Sequence, residues 1–479
     1  MFFLRHSIES EICVCVVVEK MQMGRWLFSL VLFVGLSGCV SKTKNTSPSA
    51  QQLWKPVQLL ESRVDTSVPM FEAKGEYSLP ALIELGVTHN PQTRVAWWQA
   101  RKALAQQGRV ESSFFPTVSV NVEAVKKQVG ATSTTALSVI ESAGPSLNVT
   151  YRLFQFGTSV ANAKSAACAL AAANYQFNHT LQLVVCNIQK NYYNYASAVA
   201  SIEAREASLA DAKASFESVQ NKQIHGLARA QDVLLAKADA LQAEYELKSA
   251  QADLERSRAE LALSVGVPVS KDFTVKIAFN DHENLTEEVD DLLNKALKQR
   301  ADLLAVKSTL HAADWAYLKA QREVLPAVDF AGSMGTVRYR RDGKWQQNYT
   351  AGIGISWDLF SGFDQQYKDL EYYSELKRRT YDFEQQQLQV LRDVWAEFHA
   401  FQSSVQLLSS AKALEVAAKE SLEAIRIGYE AGLNNLLDLL SAQKTLSEAR
   451  LKRIYSQAQL ATHWVQLAYV TGRLSPESY

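Results

Sequence analysis

The feature that most constrains this chain is a similarity of the sequence to itself at an offset of 206 residues. At this offset Gly226 matches Gly432, and the match continues without a gap to Gly266 and Gly472. The upstream motifs "YRLFQFG" and "WDLFSGF" also fall on each other, and each places Leu-Phe shortly before a glycine. A repeat of this length predicts an internally duplicated chain, in which two copies of one structural unit follow each other.

Each copy begins with a predicted helix and contains a much longer one. The first helix, at residues 80–112 and 291–322, is rich in Ala, Leu, Lys, Gln and Arg, which favour helices. The long helix is predicted where helix-breaking residues are scarce: residues 158–225 contain neither Pro nor Gly, and residues 364–431 contain only Gly428. At about 1.5 Å per residue, each long helix would extend for roughly 100 Å.

A return helix of about 39 residues follows a glycine-marked turn and ends at Gly266 or Gly472. It would cover roughly 59 Å and the first helix roughly 50 Å, so the two shorter helices stacked end to end match the long one. Small side chains are dense in segments such as "AKSAACALAAAN", and they allow helix axes to approach closely. Sustained Leu or Ile seams of a dimeric coiled coil are weak, so we predict a broad wall of helices.

Two pairs of predicted strands lie between the first helix and the long helix of each copy. Their segments are "PTVSVNVEA" with "PSLNVTYRLF", and "PAVDFAGSMG" with "YTAGIGISWDLF". Alternation puts Val118, Val120 and Val122 on one face of the first strand and polar residues on the other. Polar loops are predicted at residues 126–143 and 340–347.

Amphipathic strands of about ten residues suit a transmembrane β-barrel. Four strands do not close a barrel, and an open sheet edge is not tolerated in lipid, so the barrel must be shared between subunits. Two copies would give eight strands and a filled interior, whereas three would give twelve strands and a lumen. The small residues Gly352, Gly354 and Ser356 favour the larger barrel. Phenylalanines at the strand ends fit an interfacial girdle, and the alternative is a soluble β-domain with aromatic residues in its core. These phenylalanines are Phe114, Phe115, Phe154, Phe156, Phe360 and Phe363.

The N-terminus reads as a signal peptide, at residues 1–38, with a true start at Met21 or Met23. Its apolar core is too short to span a bilayer. The core ends in "LSGC", which resembles the bacterial lipobox and predicts a lipid on Cys39. Val40 follows in place of Asp, which in that system directs the lipoprotein to the outer membrane. The alternative is an ordinary signal peptide followed by a chance cysteine.

Composition argues against other functions. Lys and Arg total 50, and so do Asp and Glu, which gives a nucleic-acid partner no electrostatic support. The eight histidines form no His-Glu-x-x-His motif, and no phosphate-cradling glycine loop is present. We therefore predict no enzyme activity, no cofactor and no metal. Cys168 and Cys186 lie 18 residues apart in one predicted helix, or about 27 Å, which predicts free buried thiols.

Taken together, residues 39–475 resemble the TolC-type outer-membrane efflux proteins, particularly the lipid-anchored kind that serve multidrug and tripartite pumps. The resemblance implies a homotrimer whose twelve strands form one barrel in the outer membrane and whose helices form a barrel across the periplasm. It also implies a periplasmic adaptor and an inner-membrane pump as partners. The function is then a passive exit duct for efflux or type I secretion. The alternative is a periplasmic coiled-coil adaptor or lipoprotein scaffold, although adaptors carry a single helical hairpin.

The same resemblance divides the chain into segments. They are a signal peptide (1–38), a lipidated linker (39–79), a first repeat (80–266), a connecting equatorial segment (267–290), a second repeat (291–472) and a C-terminal tail (473–479). Strand-to-helix junctions are expected at Phe154 and Gly157, and at Phe360 and Gly362.

The second tip, "IGYEAGLNNLLDLLSAQ", resembles the family pattern G-Y-x-x-G…D-[VL]-L through Gly428, Tyr429, Gly432 and Asp438. The resemblance implies that these residues lie at the periplasmic entrance. In the family, a Tyr, an Arg and Asp residues link the hairpins and hold the entrance shut. Here Asn434 occupies the Arg position.

The first tip, "HGLARAQDVLLA", supplies Gly226 and Asp232. We therefore expect a hydrogen-bonded link through Tyr429 and Asp232. Three copies of Asp438 near one axis would form a negative constriction that attracts cations. The alternative is that both Asp residues are solvated positions on helix surfaces.

Overall fold

The computed structural model describes residues 52, 76–129, 138–269, 274–277, 287–339 and 343–474. All of these residues belong to one compact unit, Asn45–Tyr479. The predicted signal peptide, the predicted lipid site at Cys39 and most of the predicted C-terminal tail lie outside the described residues.

The chain is mainly helical, with few strands. The helices are α1 (Leu79–His89), α2 (Pro91–Glu111), α3 (Thr158–Ile224), α4 (Ala230–Val265), α5 (Val289–Gln299), α6 (Ala301–Arg322), α7 (Asp364–Glu430) and α8 (Leu436–Val470). The strands are β1 (Glu76–Tyr77), β2 (Thr117–Val129), β3 (Ser138–Phe154), β4 (Thr274–Val275), β5 (Ala327–Tyr339) and β6 (Trp345–Ser356). Within the described residues, no helix combines the length and the apolar character that crossing a membrane requires.

The two long helices have the predicted positions and the same length. Helices α3 and α7 each contain 67 residues. Helix α7 begins 206 residues after α3, and α8 begins 206 residues after α4, which is the offset at which the two halves of the sequence align. Helices α5 and α6 each begin 210 residues after α1 and α2.

The prediction of one continuous helix before each strand pair was wrong. In the first half the helix breaks at Asn90-Pro91, where proline has no N–H and the Asn90 side chain accepts a hydrogen bond from the Gln92 N–H at 2.8 Å. In the second half it breaks at Arg300, whose backbone is extended. Arg300 contacts carboxylates on two helices, so tertiary contacts produce this second break without a proline.

Helix α3 is the central element of the helical region. It packs against α2 and α4 and also against α6 and α8, while α7 packs against α6 and α8. One hydrophobic cluster joins α1, α2, α3 and α4 to α8, and it includes the fully buried Phe177 and Tyr192. A second cluster joins α5 and α6 to α7 and α8 around Val390 and Phe401. The shorter helices therefore fix the two long helices side by side.

The strands form a small parallel pair, β1 with β4, and a larger antiparallel sheet in the order β2–β3–β5–β6. The predicted loop at residues 126–143 was wrong, because β2 continues to Val129 and β3 begins at Ser138. The ladder continues through polar residues, and Lys126 pairs with Glu141 across it at 2.7 Å. The second predicted loop is also too long, since β6 begins at Trp345.

The register gives this sheet two different faces. Apolar side chains share one face, and several are largely exposed, as Val122 (80%) and Ile355 (74%) show. This apolar face comprises Val118, Val120, Val122, Leu147, Val149, Tyr151, Phe330, Met334, Tyr349, Ile353 and Ile355. The opposite face comprises Thr117, Ser119, Asn121, Asn148, Thr150, Asp329, Ser333, Thr350, Gly352 and Gly354. Strands β2 and β6 are the edges of the sheet.

Candidate functional site

The two hairpin tips share one backbone geometry. Each turns at a glycine with a left-handed backbone, Gly226 (φ +73°) and Gly432 (φ +75°). In each, the next residue, Leu227 or Leu433, donates its N–H to the carbonyl five residues earlier, at 2.7 and 2.8 Å. This pattern is the Schellman ending of a helix, in which a left-handed residue follows the last turn. The sequence therefore located both turns correctly.

Gly428 was predicted at the turn, but it lies within the last turn of α7. Its place there is explained by Asn434, whose Nδ2 stands 2.6 Å from the position that a Cβ on Gly428 would occupy. The same Nδ2 donates a hydrogen bond to the Ile425 carbonyl at 3.3 Å. Asn434 thus folds back over the end of α7, where a glycine leaves room for it.

The two acidic residues predicted at the entrance both occupy the first turn of a return helix. Asp438 Oδ2 accepts the Asn435 N–H at 3.1 Å, and Asn435 Oδ1 accepts the Asp438 N–H at 2.9 Å. At the first tip, Asp232 Oδ2 accepts the Arg229 N–H at 3.1 Å. Within the described residues, no hydrogen bond joins Asp232 to Tyr429. Both carboxylates therefore satisfy a backbone donor at a helix start, and they also fit the favourable end of the helix dipole.

Tyr429 lies at the contact between the two hairpins. Its ring packs against a small cluster of residues from α3, α4 and α8 that includes Val219, Ala236 and Leu440. The Nζ atom of Lys222, in the last turn of α3, stands 4.0 Å from the centroid of the ring. The distance is typical of a cation–π interaction. Sequence reasoning selected Tyr429 but missed Lys222.

Both tips also expose leucine, which the sequence analysis did not single out. Leu227 is 78% exposed and Leu433 is 83% exposed, and the two positions lie 206 residues apart. Ile224 and Leu437 add exposed apolar surface nearby. The sequence could have indicated these exposed positions, because a leucine directly follows the tip glycine in both copies of the repeat. Each hairpin therefore exposes apolar side chains at its end.

The strand-to-helix junctions use two consecutive left-handed residues. In the first copy these are Phe156 (φ +43°) and Gly157 (φ +84°), and Gly157 directly precedes α3. In the second copy they are Gly362 (φ +65°) and Phe363 (φ +68°), which directly precedes α7. Glycine and phenylalanine have exchanged places, so each copy holds one phenylalanine in a conformation that disfavours it.

The aromatic residues of the junctions contact each other. Phe154 is the last residue of β3 and packs edge-to-face on Phe156, with ring centroids 4.8 Å apart. Phe360 was predicted to end the last strand, but β6 ends four residues earlier, at Ser356. Phe360 packs edge-to-face on Phe363 at 5.4 Å instead. These ring contacts favour the otherwise unfavourable backbone of Phe156 and Phe363.

A buried ion-pair network lies away from the tips, at the break between α5 and α6. The guanidinium of Arg300, 8% exposed, donates to Asp302 at 2.7 Å and to Asp393 of α7 at 3.3 Å. Gln386 donates to Asp302 at 2.9 Å. Burial by itself raises the pKa of Asp302, but the hydrogen bond and the charge of Arg300 outweigh it and hold that pKa below its usual value. No local pattern in the sequence indicates this network.

Within the described residues, Cys168 and Cys186 are both free, as the spacing predicted. Cys186 is buried, and its burial raises the pKa of the thiol to about 12. Cys168 is only half-buried. Within the described residues, no group of three or more His, Cys, Asp and Glu side chains is placed to hold a metal ion.

Two long helical hairpins, each continuing from a strand pair with an exposed apolar face, are a fold that this chain shares with solved outer-membrane channel structures. The chain belongs to the outer membrane efflux protein family, whose model matches residues 82–267 and 292–473. It is accordingly a transport protein of the outer membrane. The two matched ranges each contain one strand pair and one hairpin.

Individual relatives support this assignment. The chain is 22% identical over 421 residues to Protein CyaE of Bordetella pertussis, which covers 85% of this chain and 86% of that protein. It is 23% identical over 313 residues to Outer membrane protein TolC of Vibrio cholerae, covering 64% and 71%. Its fold matches the crystal structure of the outer membrane protein VceC of Vibrio cholerae with a TM-score of 0.73 at 21% identity, covering 82% and 96%.

Proposed function

We propose that three copies of this chain form the passive exit duct of a tripartite efflux pump or type I secretion system. In this assembly, twelve strands close one barrel in the outer membrane and the hairpins form a tube across the periplasm. We further propose that the chain arose by duplication, with repeats at residues 80–266 and 291–472 joined by an equatorial segment at 267–290.

The sheet is the observation that carries this proposal. Its apolar face is exposed, its opposite face is polar, and within the described residues its edge strands β2 and β6 each pair with a strand on one side only. Strand β2 leads away from the helices and β6 returns toward them, so the edges of adjacent copies would meet antiparallel. Closing these edges between copies satisfies every backbone donor and acceptor, as lipid requires. The small residues Gly352 and Gly354 of the polar face leave space for a lumen.

The hairpin tips support a partner at the periplasmic end. Leu227 and Leu433 project apolar surface from both hairpins of each subunit. Exposed apolar positions of this kind mark protein–protein contact sites. A periplasmic adaptor is the proposed occupant, and an inner-membrane pump would supply the energy that a passive duct needs.

The lipid anchor belongs to the same proposal. The lipobox-like "LSGC" predicts a mature N-terminus at a lipidated Cys39, followed by a linker at residues 39–79. Mass spectrometry of the protein purified from membranes tests it: a diacylated or triacylated N-terminal cysteine is expected. An unmodified N-terminus at another residue would refute the anchor and leave the channel proposal intact.

Two adjacent residues on opposite faces of β6 provide the test of the channel. Ile353→Arg puts a charge on the apolar face, and near the middle of the bilayer this costs about 2–4 kcal/mol per site. Gly352→Arg puts the same charge on the polar face, where a Cβ has no atom within 4 Å. We expect Ile353→Arg to abolish heat-resistant trimers in outer-membrane fractions. Gly352→Arg should keep the trimers and shift the selectivity of single channels toward anions.

The competing scaffold function predicts a different pattern. A periplasmic scaffold would not conduct in planar bilayers and would tolerate both arginine variants equally, even where a lipid anchor keeps it in the membrane fraction. That outcome would refute the duct.

A further inference from the structure

We propose that the cavity at the start of α3 binds a small oxyanion, a phosphate or a carboxylate, through the Thr158 hydroxyl and the first backbone N–H groups of the helix. The site lies within one chain, so its existence does not depend on the proposed assembly. Its access from the lumen rests on the proposed function: in the duct the polar face of the sheet lines the lumen, and an anionic solute in transit would meet the cavity there.

The cavity lies where the sheet meets the helices. It has a volume of about 620 Å³, and the end of α2, the start of α3 and the end of α6 contribute to its lining. Thr117, Thr150 and Asp329 line it from the polar face of the sheet. The apolar face, which would contact lipid in the proposed barrel, is on the other side of the sheet. This position favours a water-soluble anion over the headgroup of a phospholipid.

Thr158 is a buried polar residue of this cavity whose hydroxyl has no partner. Its side chain is only 3% exposed, and within the described residues its Oγ1 makes no hydrogen bond. Three neighbouring serines of the lining are engaged: Ser159 donates to the Gln155 side chain, and Ser112 and Ser113 each donate to the carbonyl three residues earlier. A buried hydroxyl without a partner is costly, so we infer that a polar group from outside the chain completes it.

The start of α3 also lacks a group that would satisfy its first N–H groups. Gly157 precedes the helix and supplies no side-chain cap, and the first turn contains no acidic residue. Such a helix start carries partial positive charge and free donors, which are the features that bind phosphate and carboxylate groups. In the second copy, the position equivalent to Thr158 is Asp364, which places a carboxylate in the first turn of α7. The two copies therefore differ in whether the chain supplies its own anion.

The charges around the cavity leave room for an anion. Two carboxylates belong to the lining, and each has its own cation: Asp329 accepts from Arg152 at 2.8 Å, and Glu323 lies 3.5 Å from Lys319. The guanidinium of Arg322 lies against the residue that precedes α3. Within the described residues Arg322 makes no ion pair, although a cation at the start of a helix is unfavourable. A bound oxyanion would pair with this guanidinium and with the helix start together.

The site is tested by equilibrium dialysis of purified full-length protein in detergent against radiolabelled inorganic phosphate, at an ionic strength held constant with potassium chloride. Saturable binding of phosphate is expected. Three substitutions at one position isolate the hydroxyl. Thr158→Ser keeps it, Thr158→Val removes it with little change of shape, and Thr158→Asp supplies the carboxylate that Asp364 provides in the other copy.

Thr158→Ser should bind phosphate as tightly as the wild type does. Thr158→Val should bind it at least about tenfold more weakly, because a hydrogen bond to a charged group is lost. Thr158→Asp should not bind it, since its own carboxylate occupies the helix start and repels a second anion. Without phosphate, Thr158→Asp should also unfold at a higher temperature than Thr158→Val, which distinguishes a filled site from a misfolded one.

A second set of measurements tests the charge and the source of the anion. Arg322→Met should weaken phosphate binding, whereas Arg378→Gln, on the exposed surface of α7, should leave it unchanged. Phosphatidylglycerol added to the detergent micelles should not displace the phosphate, and displacement would overturn the assignment to a water-soluble anion.

The site is overturned if the wild type shows no saturable phosphate binding, or if Thr158→Ser and Thr158→Val bind equally well. The duct is tested separately, by conductance in planar bilayers. A protein that conducts without binding phosphate would refute the site and leave the duct. A protein that binds phosphate without conducting would keep the site and refute the duct.

Discussion

At the start of α8 the Asp438 carboxylate accepts a hydrogen bond from the Asn435 N–H at 3.1 Å, and the Asn435 side-chain oxygen accepts one from the Asp438 N–H at 2.9 Å. This reciprocal arrangement is a capping box, which satisfies two backbone donors that the helix itself leaves unpaired. It also fixes the carboxylate one turn from the tip. The structural role of Asp438 and its predicted role at the entrance therefore fall on one residue, and substitutions must be chosen to separate them.

Asn435→Ala removes the side-chain half of the capping box. We expect a loss of about 1 kcal/mol of local stability, because an amide donor at the start of α8 loses its acceptor. Hydrogen exchange of the amides in the first two turns of α8 should accelerate. Asn435→Asp keeps an acceptor and serves as the control. Equal exchange in the two variants would contradict the role of the cap.

Asp438→Asn tests the carboxylate at the entrance without removing the cap, since an amide oxygen still accepts the Asn435 N–H. In the proposed trimer, three Asp438 carboxylates near one axis would attract cations, so neutralising them should reduce the block of single-channel current by divalent cations. The matched control is Asp232→Asn, which changes the equivalent position of the first tip. If the cation block is unchanged in Asp438→Asn, this residue does not lie at the constriction.

Gly157→Ala tests the junction between the sheet and α3. Gly157 has a φ of +84°, and a Cβ there would collide with the guanidinium of Arg322. The left-handed conformation alone costs a residue with a Cβ about 1–2 kcal/mol. A lower unfolding temperature of the purified protein is therefore expected.

The control for this substitution is Gly108→Ala, within α2. A Cβ at Gly108 meets no atom within 4 Å, and the residue is helical. Alanine there should stabilise the helix by about 0.5–1 kcal/mol. Destabilisation by both substitutions to the same extent would show that the junction has no special backbone requirement.

The sequence predicted the elements whose signals are local. Glycine-marked turns such as Gly226 located the tips, and the absence of Pro and Gly located α3 and α7, because both are properties of short segments. The break at Pro91 also had a local signal, since proline favours the first position of a helix. It was missed because the residues on both sides of it favour a helix. The extension of β2 to Val129 was missed because a strand that faces water needs no apolar alternation.

Other features depend on residues far apart in the chain. The break at Arg300 depends on Asp393, 93 residues later. The contact of Lys222 with Tyr429 joins residues from different copies of the repeat. A single sequence carries no information about which distant side chains meet. For the tips, the sequence therefore identified the residues but not their partners.

Arg300→Met tests the buried network and should destabilise the protein strongly at neutral pH. The substitution leaves Asp302 buried without its partner, and breaking a buried pair in this way costs about 3–5 kcal/mol. The free energy of unfolding in urea is the measurement. The control is Arg378→Gln, which breaks exposed pairs with Glu375 and Asp382 on the surface of α7 and should have a much smaller effect.

The pH dependence of the Arg300→Met effect gives a second, independent test. In the wild type the pKa of Asp302 is held below its unfolded value, so its contribution is complete above that value and is lost as the pH falls through the folded pKa. Arg300→Met removes the hydrogen bond and the charge that oppose burial, while the Gln386 side chain and the Leu303 N–H still donate to Asp302, so the pKa of Asp302 is higher in the variant than in the wild type. The difference in unfolding free energy between wild type and variant should therefore be largest near neutral pH, and its wild-type part should disappear only as the pH falls below the unfolded pKa of about 3.9 and through the lowered folded pKa. A difference that stayed constant between neutral and acidic pH would show that Asp302 is not held ionised by Arg300.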